Sequence, residues 1–229
     1  MTPRRVLWGT VGLLVAFTLL RAGHVFGDLS DAVLVVLSLV VTVVALRGGM
    51  GRSQLGLSRD DVGRGLWAGL AVFGLVLVVV VVGAFIPATS AFMDDDRVQV
   101  GVGGLARELF LSILIGTVIP EELLFRGVIL GAGLQQWRPR RAMLVSSLLF
   151  ACWHIAPTLA TAGGNAELSG VVATVSGRLG LVAGAMVSTF VAGLVFAWLR
   201  VRSASLGAPV IAHLSTNGVA FTVAWFVAR

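Results

Sequence analysis

Seven stretches of this chain, roughly residues 6–22, 31–46, 65–87, 105–136, 142–157, 178–199 and 205–227, run almost without charge between short polar connections. A helix needs about 20 mainly apolar residues to cross the hydrocarbon core of a bilayer, and most of the stretches come close to that length. With 57% hydrophobic residues, 12% charged residues and a mean hydropathy of +0.98, the 229 residues have room for these spans and little else. The expected fold is all-α: a polytopic transmembrane helical bundle of about seven spans, forming a single integral membrane domain over residues 1–229. The first segment has the basic start and apolar core of a signal peptide. It lacks a clear A-x-A cleavage site and more spans follow, so it reads as a retained first helix.

The formal charge of +6 and the isoelectric point near 11.5 would suggest a nucleic-acid partner in a soluble protein. Here the arginines fall in short loops between apolar segments, without interleaved aromatic residues, so the lipid bilayer is the expected surrounding and no nucleic acid is expected. Arg4, Arg5, Arg47, Arg52, Arg59, Arg64, Arg138, Arg140, Arg141, Arg200 and Arg202 lie on one side of a seven-span arrangement. Asp28, Asp31, Asp94, Asp95, Asp96 and Glu167 lie on the other. Basic residues concentrate in cytoplasmic loops, which places the N-terminus in the cytoplasm and the C-terminus outside. Arginine without lysine, in a chain heavy in Val, Ala, Gly and Leu, points to a high-GC bacterium and hence to a bacterial cytoplasmic membrane. Cys152 is the single cysteine, which excludes an internal disulfide.

The stretch "IPEELLFRG", residues 119–127, breaks the fourth apolar segment with Glu121, Glu122 and Arg126. Taking one ionisable side chain to the bilayer centre costs about 2.5–3.5 kcal/mol on insertion scales, so these groups must be paired, cavity-lining or both. Glu122 and Arg126 are four apart, in the order that favours an ion pair along a helix. Two readings are open for them: a structural pair that neutralises itself, or support for a catalytic group. Glu121 lies about 100° round the helix from Glu122 and has no evident partner in its own segment. Pro120 removes a backbone donor and clashes with the carbonyl of Gly116, so a kink or a fresh helix start is expected there. A fresh start would put both carboxylates in a first turn, where the macrodipole favours negative charge.

Two further segments carry polar intrusions. "FACWHIAP" places His154 four residues after Phe150, and "HLSTN" places His213 and Asn217 four apart on one face of the seventh segment. A lone intramembrane histidine is more often a packed, hydrogen-bonded residue than a ligand, but three segments with such residues at overlapping depth shift that balance. The helical rise lets Glu121, His154 and His213 meet inside the bilayer, somewhat toward the cytosol. A carboxylate and two imidazoles in a dry cavity can activate water, by general-base action or by holding a divalent metal.

In this order, the motifs E-E-x-x-x-R (Glu121, Glu122, Arg126), F-x-x-x-H (Phe150, His154) and H-x-x-x-N (His213, Asn217) resemble those of the CAAX-protease and bacteriocin-processing (CPBP) family of intramembrane endopeptidases, which includes the type II CAAX prenyl proteases. The resemblance covers about residues 105–220, the family-like catalytic core; the first three spans match only as generic membrane helices. It implies hydrolysis of peptide bonds in membrane-associated peptides or proteins. Glu121 and His154 would activate water, His213 and Asn217 would stabilise the oxyanion, and Glu122, Arg126 and Phe150 would support them. Many bacterial relatives are labelled metalloproteases on the same residues, so zinc held by Glu121, His154 and His213 stands as the alternative to a site without cofactor. The metal-free site is favoured, because a ring committed to a metal cannot readily donate to an oxyanion.

Other protease chemistries fit poorly. The sequence has no H-E-x-x-H, no intramembrane aspartate pair and no G-x-S-x-G. Cys152 sits about 200° from His154 on a helix, which disfavours a Cys–His dyad, and reads as a small core residue. A membrane transporter would also carry buried Glu, His and Arg, and a catalytically silent scaffold could keep the motifs for stability. Cleavage of a labelled membrane peptide, uptake without cleavage, or neither separates the three.

Overall fold

The computed structural model describes residues 1–86, 98–164 and 173–229, without the side chains of 161–164. Among them are seven helices long and apolar enough to cross a membrane: α1 (Pro3–Ala22), α2 (Gly27–Arg47), α3 (Arg59–Ala84), α4 (Val102–Leu134), α5 (Pro139–Ala160), α6 (Val175–Ser203) and α7 (Gly207–Val227). There are no strands among the described residues. The chain is thus an all-α polytopic bundle with the expected number of spans. Asp94, Asp95, Asp96 and Glu167, used above to orient it, lie outside the described residues.

Lipid tails are as apolar as leucine, so membrane helices associate through close packing and small residues more than through apolar burial. Accordingly Val36, Val40, Val78, Val79, Val187 and Val191 point outward. Small residues mark the contacts: on α3, a Cβ at Gly69 would meet the Ile211 side chain of α7 at 2.8 Å. On α6, a Cβ at Gly193 would meet Ser147 of α5 at 3.1 Å. Cys152 is exposed, which corrects its reading as a core residue. It faces away from the helix side that carries His154 and lines a small apolar groove against α1 with Val11 and Val15. The 200° separation that argued against a dyad is what turns it outward.

The centre of the bundle is an aromatic and aliphatic cluster from α1, α4, α5 and α6 that includes Phe17, Phe125, Phe150, Trp153 and Phe196. On the arginine-rich side it is sealed by the short helix Arg52–Leu55, between α2 and α3. Arg200 Nη2 donates to the carbonyls of Ser53 (3.1 Å) and Gln54 (2.9 Å), and Leu206 N donates to Gly56 O at 2.9 Å. Gly56 is left-handed (φ 75°), and a side chain there would run into the Arg200 guanidinium, so glycine is required twice over.

Pro120 neither begins a helix nor ends one. Backbone angles stay helical from Val118 (φ −62°, ψ −52°) through Leu123 (φ −60°, ψ −46°). The two sides of the proline are instead π-helical, over Glu108–Val118 and Leu123–Ile129. A change of hydrogen-bond register at this point accommodates the missing donor. Glu121 and Glu122 are therefore mid-helix, and the macrodipole argument does not apply to them.

Gly131 of α4 lies against the short helix, where an added Cβ would sit 2.6 Å from the carbonyl oxygen of Gln54. Gly131→Ala is expected to destabilise the bundle by about 1–3 kcal/mol, the usual cost of overpacking. Gly74→Ala, with nothing within 4 Å, should leave the thermal unfolding midpoint in detergent unchanged or slightly raised. Equal midpoints for the two variants would show that the short helix is not packed as described.

Candidate active site

α4 supplies three ionisable groups to the middle of the bundle. Arg126 and Glu122 are fully buried and joined, with Arg126 Nη1 2.9 Å from Glu122 Oε1. The guanidinium carbon lies 3.9 Å from the centre of the Phe150 ring and 5.1 Å from that of Phe196, so the ring faces help to hold a charge that lacks water. Glu122 Oε1 is also 2.9 Å from His213 Nδ1. A carboxylate only accepts, so the ring nitrogen is the donor. The pair thus reaches beyond its own helix: Arg126 fixes Glu122, and Glu122 fixes the ring of His213 on α7. Phe150 and Phe196 complete the setting, with ring centres 5.8 and 5.1 Å from that of His213.

Glu121, one residue earlier, points to a different set of partners. Its Oε1 accepts from Trp153 Nε1 at 2.8 Å. Its Oε2 has no hydrogen-bond partner and lies 4.0 Å from His154 Nε2 and 3.9 Å from His213 Nε2. Nothing in the motif spacing singled out Trp153, but a buried indole N–H needs an acceptor, and that requirement was the available signal.

His154 owes its pose to a break in α5. Its backbone N–H bonds to Ala151 O at 3.1 Å rather than to the carbonyl four residues back. The Phe150 carbonyl, so released, takes His154 Nδ1 at 2.8 Å. Pro157 follows within the next turn, where its missing N–H favours such an interruption. Since a carbonyl cannot donate, Nδ1 carries the proton, and in a neutral ring Nε2 would be the acceptor. The same holds for His213, whose Nδ1 donates to Glu122. The Nε2 atoms of the two imidazoles and one carboxylate oxygen therefore face a common gap.

The remaining expected residues fall around this centre. Phe150 packs edge-on against His154, with centroids 4.4 Å apart. Asn217 lies in a π-helical stretch, Ser215–Val219, and accepts a long 3.5 Å hydrogen bond from the Thr216 hydroxyl. It lines a cavity of about 560 Å³ together with Glu121, Trp153, His154 and Thr216. Asn217 thus borders the space in front of Glu121 without touching the carboxylate.

No group of three His, Cys, Asp or Glu among the described residues is arranged to hold a metal ion. Two zinc ligands at bonds of about 2.0–2.1 Å and a tetrahedral angle would stand roughly 3.4 Å apart, less than the 3.9 and 4.0 Å found here. Two atoms hydrogen-bonded to one water at about 2.8 Å and a tetrahedral angle would stand roughly 4.6 Å apart, so the observed spacing lies between the two cases.

A family model, type II CAAX prenyl endopeptidase Rce1-like, matches residues 105–219. That range starts in α4, includes every residue of the cluster and ends in α7. Neither the curated proteins nor the solved structures contain a match to the chain.

Removing Arg126 strands Glu122, and losing one partner of a buried pair costs about 3–5 kcal/mol. Arg126→Ala should accordingly lower the folded yield sharply. Glu122→Leu combined with Arg126→Met should restore much of that yield by eliminating both charges, while activity stays lost because His213 is no longer oriented. A double variant that folds no better than Arg126→Ala, in size-exclusion yield, would mean the pair is not the coupled unit described.

Proposed function

This chain belongs to the Rce1-like type II CAAX prenyl endopeptidase family, and from that premise we propose that it is an intramembrane endopeptidase that hydrolyses peptide bonds of membrane-associated polypeptides with water activated by Glu121 and His154. Family membership makes it a peptidase, and its seven apolar helices make it an integral membrane protein. The bacterial cytoplasmic membrane and a cytoplasmic N-terminus belong to the proposal.

The observation that carries the reading is the unpartnered Oε2 of Glu121 facing the Nε2 atoms of His154 and His213, which we take as neutral rings. Three acceptors around one gap call for a shared donor, and a water molecule has two protons to offer. In the proposed reaction Glu121 Oε2 takes a proton from that water as its oxygen attacks the substrate carbonyl carbon. The carbonyl oxygen becomes the oxyanion, and the Asn217 amide is near enough to the cavity to donate to it. With both rings neutral, His213 Nε2 accepts from the water, and Asn217 is the donor to the oxyanion in this reaction. Collapse of the intermediate breaks the C–N bond, and the proton taken from water passes by way of His154 to the leaving amine. Trp153 is a positioning residue that holds the other oxygen of Glu121 so that Oε2 faces the gap.

The proposed mechanism uses no cofactor. Protein purified through a chelator should retain activity with substoichiometric zinc. Stoichiometric metal, with activity lost on chelation and restored by Zn²⁺, would replace this mechanism with a metal-based one on the same residues.

Glu121→Gln keeps the shape and removes the base. General acid–base catalysis contributes about 10²–10⁴-fold, so cleavage of a labelled membrane peptide should fall by at least that range while the thermal midpoint holds. Activity within about tenfold of wild type would remove Glu121 from the proposed role.

A further inference from the structure

The cavity in front of Glu121 has a direction. Its walls, apart from the catalytic group, come from one end of every helix that contributes: Arg21 at the end of α1, Asp31 at the start of α2, Glu108 and Ser112 in the first part of α4, Pro157 late in α5, and Ala224 late in α7. A second cavity of about 860 Å³ continues it between the end of α1, the start of α2 and the end of α5. The two share Arg21, Asp31, Trp153 and Pro157. Arg21 and Asp31 bridge across the junction at 3.5 Å and are each about half exposed (43% and 51%). The path from Glu121 to this side passes the Arg21–Asp31 pair and widens into the second cavity.

The opposite direction is shut. Between Glu121 and the other ends of the helices stand Phe125, Arg126, Phe150 and Phe196, each no more than 3% exposed. Beyond them lies the short helix Arg52–Leu55, tied down by Arg200. That closed side is the one that bears Arg4, Arg5, Arg47, Arg52, Arg59, Arg64, Arg138, Arg140, Arg141, Arg200 and Arg202. Among the described residues, the open side bears Arg21, Arg107, Arg178 and Arg229. Arginine in short loops sets orientation, and the richer side stays in the cytoplasm.

From the two asymmetries together we infer that the site is entered from the non-cytoplasmic face, and that its substrates are polypeptides exposed there: exported chains still tethered to the membrane, or the outward-facing juxtamembrane segments of other membrane proteins. This rests on the peptidase reading for the cleavage step; the side of entry rests on the cavity and the arginines alone. A substrate presented at the cytoplasmic face would have to pass the aromatic layer and the short helix to reach Glu121.

The test has two arms, both on the full chain. In a Cys152→Ser background, single cysteines at Asp28, Ser112 and Arg140 are treated with a membrane-impermeant maleimide in intact spheroplasts and after lysis. Asp28→Cys and Ser112→Cys should label in intact spheroplasts, and Arg140→Cys only after lysis. Labelling of Arg140→Cys in intact spheroplasts, or of Ser112→Cys only after lysis, overturns the inference. In the second arm, the protein termini of membranes from cells carrying the wild type are compared with those from cells carrying Glu121→Gln. Termini lost in the variant should map to segments outside the cytoplasm, and a set confined to cytoplasmic segments overturns the substrate assignment. If no termini depend on Glu121 while the labelling is as expected, the peptidase reading fails and the side of entry stands.

Discussion

A guanidinium without water holds this structure's centre together. Arg126 is fully buried in α4, and an isolated charge there would cost more than the bundle could absorb. Its environment is therefore built around it: a carboxylate from the same helix, the face of Phe150 from α5 and the face of Phe196 from α6. Because Glu122 Oε1 serves both Arg126 and His213, the requirement to neutralise one charge also sets the ring of a histidine on α7. Four helices are brought into register by one electrostatic need. Neighbouring Glu121 is spared that duty and keeps one carboxylate oxygen without a hydrogen-bond partner.

Adjacent carboxylates thus take separate tasks. A step of one residue on a helix turns the side chain by about 100°, enough to place Glu122 among aromatic rings and Glu121 at a cavity wall. The histidines follow the same division on their own rings. In each, Nδ1 is committed to a fixed acceptor and Nε2 is presented to the gap, so the backbone and the ion pair determine which nitrogen faces it.

Much of this was legible in the sequence because the bilayer tolerates so few exceptions. Seven apolar stretches could only be spans, and Glu121, Glu122, Arg126, His154 and His213 stood out by their cost. The four-residue spacing of Glu122 and Arg126 gave their pairing directly. What could not be read depends on how helices pack or on hydrogen-bond register. Trp153 is an unremarkable aromatic until α5 lies against α4. The outward turn of Cys152 reflects which face of α5 meets α1. The helix passes through Pro120 because the flanking turns change register, an arrangement with no sequence signature of its own. Asn217, taken to share a face with His213, lies in a π-helical stretch, where a four-residue spacing no longer guarantees a common face.

Those π-helical stretches bear on how α4 can change length. A π turn is an α-helix holding one residue more than its hydrogen bonds require, so Glu108–Val118 and Leu123–Ile129 act as slack on both sides of the carboxylates. A single-residue deletion in the first stretch can be taken up there by return to α-helical register, while Glu121 and Glu122 keep their places against α5 and α7. The same deletion between Ile119 and Glu122, where the helix is regular, has no slack to draw on and would rotate one carboxylate away from its partners. The helix that carries both carboxylates is thereby tolerant of length change on either side of them and rigid in four residues.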